Sequence, residues 1–186
     1  MICDNMIYDK KEKLYLSEYI RIITTIIILY CLNIPIFMKI LLIMLADFID
    51  CGIPRFLFGY DNWIICNEST YQEIDKITDT ICYTLLLFYI INNGGMSNYY
   101  NYLIIILFLY RLIGVYLFLI KNSREYLFYF PNFFLETSLG LMVINYFPKL
   151  KNFKVMILLT IIIYKIILEY YLHIYKNKKN LYSLKS

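Results

Sequence analysis

Apolar runs of nearly bilayer length, one after another, constrain this chain more than anything else in it. Six can be read off, at about 20–34 (closed by Pro35), 37–50, 75–92, 99–120, 130–147 and 153–173. Several approach the roughly 20 residues that cross a hydrocarbon core. With 61% hydrophobic and 17% charged residues over 186 positions, the chain has more apolar surface than a soluble domain of this size needs to bury. Backbone polar groups in hydrocarbon must be satisfied inside each segment, so the runs are expected to be helices. The expected fold is all-α: a six-transmembrane-helix bundle over 20–173, a short interfacial segment at 1–19 before it, and a basic tail at 174–186 after it.

Charge narrows the partners. The net charge of +4 is spread along the chain, with no basic stripe interleaved with stacking aromatics, so nucleic acid is not an expected partner. The five cysteines have no CxxC spacing, which leaves disulfides and zinc unsupported. Residues 1–19 mix acids and bases and lack the features of a signal peptide; an interfacial position suits them better. Basic residues outside the runs set orientation. With both termini cytoplasmic, Lys10, Lys11, Lys13, Arg55, Lys121, Arg124, Lys176, Lys178, Lys179 and Lys185 lie inside, against Lys39, Lys149, Lys151 and Lys154 outside. The uncharged loop 92–101 suits the outer face, and the three lysines near 150 are the dissenting group. The expectation is a multi-pass membrane protein with cytoplasmic termini, in contact with membrane lipids.

Two aspartate pairs then stand out. Asp47 and Asp50 are spaced i, i+3, and Asp75 and Asp79 are spaced i, i+4, so each pair shares one helix face. The first pair ends the second run and the second pair begins the third. Consecutive helices usually pack antiparallel, which would bring all four carboxylates to one depth on the cytoplasmic side. Carboxylates at a membrane boundary are costly unless hydrated, paired or bound to a cation. Oxygen ligands at this density suit Mg²⁺, Mn²⁺ or Ca²⁺, and an anion such as a pyrophosphate could bridge to the metal. For a single aspartate, a helix-end position favoured by the helix dipole is an equally good account.

The stretch Asp47-Phe-Ile-Asp50-Cys51-Gly52-Ile-Pro54-Arg55, followed by Asp75-Lys-Ile-Thr-Asp79, resembles the signature of class I CDP-alcohol phosphatidyltransferases, D-x2-D-G-x2-A-R and then G-x3-D-x3-D. The motif is confined to 47–79, whereas the six-run layout resembles that family along the whole chain. Cys51 stands at the first motif glycine with Gly52 one place late, Pro54 stands at the alanine, and Tyr71 at the second glycine. The spacer between Arg55 and Asp75, residues 56–74, is longer than the family's. The resemblance implies that Asp47, Asp50, Asp75 and Asp79 ligate Mg²⁺ or Mn²⁺, with Asp79 also the general base toward an acceptor hydroxyl. It implies that Arg55, with Cys51 and Gly52, faces the pyrophosphate of a CDP-linked donor. The implied reaction moves a phosphatidyl or phospho-alcohol group to an alcohol acceptor and releases CMP, in phospholipid synthesis, with a homodimer as the assembly.

Other polar residues have competing accounts. Arg111, inside the fourth run, could hold an acceptor or phosphate or pair with Glu136. Lys121 and Arg124 could meet phosphate or lipid headgroups. Lys165 and Glu169, spaced i, i+4, are expected to satisfy each other, and His173 to face headgroups. Phe130-Pro131-Asn132 suits a helix opening. The 56–74 segment carries Asp61, Glu68 and Glu73 with interfacial Tyr60, Trp63 and Tyr71, as either a pocket cover or a surface loop. Two other functions compete: a catalytically inactive relative or membrane scaffold, and an aspartate-rich isoprenoid diphosphate transferase.

Overall fold

The computed structural model describes residues 15–49 and 69–171, without the side chains of 48, 49, 69 and 70. Asp50, Cys51, Gly52, Arg55, His173, the 174–186 tail, most of 1–19 and most of 56–74 therefore lie outside the described residues. Everything regular among the described residues is helical. Helix α1 covers 15–26 and widens into a π-helical turn, Ile27–Cys31. Helix α2 is Ile36–Ile49, α3 is Ser69–Asn93, α4 is Asn98–Lys121, α5 is Glu125–Tyr129 and α6 is Phe133–Tyr146. A 3₁₀ turn, Pro148–Phe153, leads into α7, Lys154–Tyr170. The stretches Asn98–Lys121 and Glu125–Tyr146 are long and apolar enough to cross a membrane.

The helices differ from the apolar runs in three places, each with a local cause. The third run begins at Asp75, but α3 starts at Ser69, so the last part of the 56–74 spacer is helical. The fifth run is expected to start at 130, but a short helix, α5, precedes it and is separated from α6 at Pro131, which has no N–H to continue the helical ladder. Helix α1 is already helical at residue 15, ahead of the first run's start at about 20, because its polar stripe of Ser17, Glu18 and Arg21 is buried against protein.

Two compact units divide within α3, one ending at Leu86 and the other starting at Leu87. In the first, α1 is built inside out. Its buried positions include Ser17, Glu18, Arg21 and Thr25, whereas Tyr19, Ile23, Ile26, Ile27 and Tyr30 are exposed. The spacing of the buried set follows one helical stripe, so the polar stripe faces protein and the apolar stripe faces out. Lys39 of α2 is buried and its Nζ donates to the Leu29 carbonyl at 2.6 Å. That carbonyl is among the last of α1, which have no partner within the helix.

In the second unit, α4, α6 and α7 pack in antiparallel succession. Phe108 meets the Phe134 ring edge-on, Arg111 reaches the start of the α6 segment, and Glu136 and Gly140 face Lys165 and Ile161. The break before Pro131 leaves carbonyls that the backbone cannot satisfy, and α4 supplies their donors. Tyr110 Oη donates to Tyr129 O at 2.6 Å, and Arg111 Nη1 donates to Phe130 O at 2.9 Å and Leu127 O at 3.4 Å. Gly114, one turn further along α4, allows the close approach: a Cβ there would stand 2.4 Å from Phe130 Cβ.

Candidate functional site

The first unit gathers the described aspartates from two helices. Asp47 sits near the C-terminal end of α2, and Asp75 and Asp79 lie in the second and third turns of α3. Their meeting point is a residue the sequence motif does not contain, Arg21 of α1. Its Nη1 donates to Asp75 Oδ1 at 3.0 Å and lies 3.7 Å from Asp47 Oδ1. Its Nη2 donates to Asp79 Oδ1 and, at 3.4 Å, to the Asp75 carbonyl. On its own helix, Nε lies 3.7 Å from Glu18 Oε2, an i, i+3 neighbour. A planar guanidinium with five donors is the side chain best suited to several carboxylates at once.

Lys76 is the second cation. Its Nζ lies 2.6 Å from Asp75 Oδ2 and 2.7 Å from Asp79 Oδ2. Both oxygens of Asp79 are therefore engaged, one by Arg21 and one by Lys76. Asp47 differs: its side chain is 34% exposed, and its Oδ2 accepts from Tyr83 Oη at 3.1 Å. Just beneath, Thr25 Oγ1 and Cys82 Sγ are 3.4 Å apart, so the floor of the cluster is polar on α1 and α3 alike. Burial pushes the Glu18 carboxyl, which precedes the first apolar run, up from its ordinary value, with Arg21 pulling the other way.

Charge decides what such a cluster can accept. Asp47, Asp75 and Asp79 set three acidic side chains against the two cations Arg21 and Lys76, and Glu18, whose burial favours its neutral form, is a fourth acidic group at the same place. The donor set is oxygen only, which matches a hard divalent cation. Among the described residues, however, no group of three His, Cys, Asp or Glu is arranged as a metal cage. Arg21 and Lys76 hold the oxygens that such an ion would take.

The other sequence candidates are placed differently. Asp50, Cys51, Gly52 and Arg55 lie outside the described residues. Arg111 is buried in the second unit on the backbone carbonyls of Leu127 and Phe130, while Glu136, its anticipated partner, pairs with Lys165 at 2.5 Å. Lys165 also reaches Glu169, at 3.3 Å, so the expected i, i+4 pair is one side of a three-residue group. Lys121 ends α4, where its charge complements the helix dipole, and Asn122 follows in the left-handed conformation with its N–H on Phe118 O at 2.8 Å. Arg124 stands at the start of α5.

Lys76 and Tyr83 join the cluster without any role expected from the sequence, and so do Arg21 and Glu18. The latter two fall at the edge of the first apolar run, and an i, i+3 acid–base pair there is easily taken for interfacial charge. The available signal was helical phase: Ser17, Arg21 and Thr25 repeat every fourth residue within an otherwise Ile- and Tyr-rich helix. Comparison with known proteins finds no family model, no curated protein and no solved structure that matches the chain.

Proposed function

We propose that the chain is a metal-dependent membrane phosphotransferase of the CDP-alcohol type, with six spans and both termini on the cytoplasmic side. One observation carries the proposal. Three of the four motif aspartates, contributed by two helices, converge on one buried guanidinium, that of Arg21. The inside-out pattern of α1 and the two membrane-length stretches support placement in a bilayer.

In this reading Asp47, Asp75 and Asp79 hold the divalent ion, which when bound would neutralise the pyrophosphate of a CDP-linked donor. Arg21 and Lys76 compete for the same oxygens, so loading the site requires them to move aside or to turn toward the incoming phosphates. Asp79 can accept the acceptor's hydroxyl proton only when one of its two cationic partners has released an oxygen. Tyr83 orients Asp47, the most accessible of the three carboxylates.

The same pairing supports a second reading. A network already neutralised in large part by Arg21 and Lys76 is self-sufficient as a structural device in an inactive relative or scaffold. The two are separated by incubating the purified chain with Mn²⁺, CDP-diacylglycerol and a panel of alcohols while following CMP. Release that disappears in Asp79→Asn and Asp47→Asn supports the transferase. A folded protein that releases no CMP with any acceptor supports the scaffold.

A further inference from the structure

At the end of the second unit away from Glu136 lies a cavity of about 340 Å³, at the small end of the roughly 300–1,000 Å³ range of ligand sites. The α3–α4 loop and the turn before α7 contribute to its lining. Its polar lining is Ser97, Tyr100, Asn145, Lys151 and Lys154; Met96, Leu141 and Ile144 make an apolar wall. Lys154 Nζ donates to Tyr100 Oη, which leaves the phenolic proton free to donate in turn. Ser97 precedes the 24-residue α4 without capping it through its side chain, so its hydroxyl is also available.

No carboxylate is among the residues that line the cavity. The sequence has no Asp or Glu from Thr80 to Arg124, nor from Thr137 to Leu168. The second unit's three acids are Glu125, Glu136 and Glu169, all near the opposite helix ends, and two of them share Lys165. Two lysines, two hydroxyls and an amide thus converge without an internal counter-charge. A carboxylate would leave half of this charge and most of these donors unused; a phosphate group has the charge and the oxygens to engage both lysines.

We propose that this cavity binds a phosphate group, free or at the head of a partly apolar molecule, held by Lys151 and Lys154 with Tyr100 and Ser97 as further donors. The proposal is independent of the aspartate cluster and of any transferase activity. Two of the three lysines that dissent from the charge rule in the sequence, Lys151 and Lys154, are then ligand residues rather than a topological signal.

The test uses the full chain in neutral maltoside micelles, offered phosphatidic acid, phosphatidylcholine or radiolabelled inorganic phosphate. Lipid retention is read by native mass spectrometry and phosphate by equilibrium dialysis. Phosphatidic acid retained in preference to phosphatidylcholine identifies a lipid headgroup; saturable binding of inorganic phosphate identifies a free ligand. In either case Lys151→Gln and Lys154→Gln should each weaken binding by roughly tenfold or more, the loss of one charged hydrogen bond. Lys149→Gln removes the same charge outside the cavity and should leave binding unchanged. Lys151 is exposed, so its substitution leaves the fold intact. Equal retention of both lipids with no phosphate bound, or equal weakening by Lys149→Gln and Lys151→Gln, overturns the proposal.

Discussion

Arg21 is 3% exposed and reaches three aspartates and a glutamate, so its removal strands several carboxylates in a buried setting. Breaking one side of a buried ion pair typically costs about 3–5 kcal/mol, because the remaining charge is left uncompensated. Arg21→Met should therefore lower the melting temperature sharply in detergent, and Arg21→Lys should recover only part of the loss, since an ammonium lacks the guanidinium fork. Full recovery by lysine would mean that charge alone matters. Glu18 behaves oppositely. Its carboxyl is raised in the folded state by burial, so its contribution to folding is favourable below the ordinary value near 4.5 and is lost as pH rises through the raised one. Glu18→Gln should raise the melting temperature at about pH 8 and change it little near pH 4. A lower melting temperature at alkaline pH would show that its attraction to Arg21 outweighs its burial.

The α5–α6 break illustrates how an element is decided by its neighbours. Pro131 ends one helix, yet the exposed carbonyls are tolerable in an apolar setting only because Tyr110 and Arg111 reach across from α4. Gly114 sets the distance for that reach. Both Gly114→Ala and Gly140→Ala gain roughly 1 kcal/mol of helix propensity, but the obstacles differ. At 114 the new methyl would meet Phe130 Cβ, a rigid atom, at 2.4 Å; at 140 it would meet the Ile161 Cδ1 tip, which can rotate away, at 2.6 Å. Gly114→Ala should lose about 1–3 kcal/mol of stability through overpacking, and Gly140→Ala should be neutral or slightly stabilising. Equal melting temperatures for the two variants would refute the assignment of Gly114 as a spacer. The apolar pattern made α2, α4 and α7 legible almost residue for residue, because a continuous run with few polar interruptions has one low-energy backbone solution in hydrocarbon. Phe130-Pro131-Asn132 suits a helix opening, and α6 starts just after it; the five-residue α5 falls between the fourth and fifth apolar runs, where no run marks it.

Across the whole molecule, the aspartate cluster is compensated by the internal cations Arg21 and Lys76, and the proposed function would set a bound ion in competition with them. Mn²⁺ binding the folded chain alone would stabilise it by about 2.7 kcal/mol at a hundredfold excess over Kd. Wild type should show a melting temperature that climbs with Mn²⁺, Lys76→Met a steeper climb because a competitor for Asp75 and Asp79 is gone, and Asp75→Asn little change. A flat response in both wild type and Lys76→Met would leave the cluster as a structural ion network. The sequence by itself determined that the described segments are helical, where the long apolar segments lie, that Asp47 falls near the end of one run, and that Asp75 and Asp79 share a face at the start of the next. Those properties follow from periodicity and the need to satisfy backbone groups, and both are local. Only tertiary structure decided that Arg21 stands among the three aspartates, that Arg111 serves broken backbone rather than Glu136, and that Lys151 and Lys154 line an acid-free cavity. The partner of a buried charge is whichever group packing brings within a few ångströms, and sequence separation carries no record of that distance.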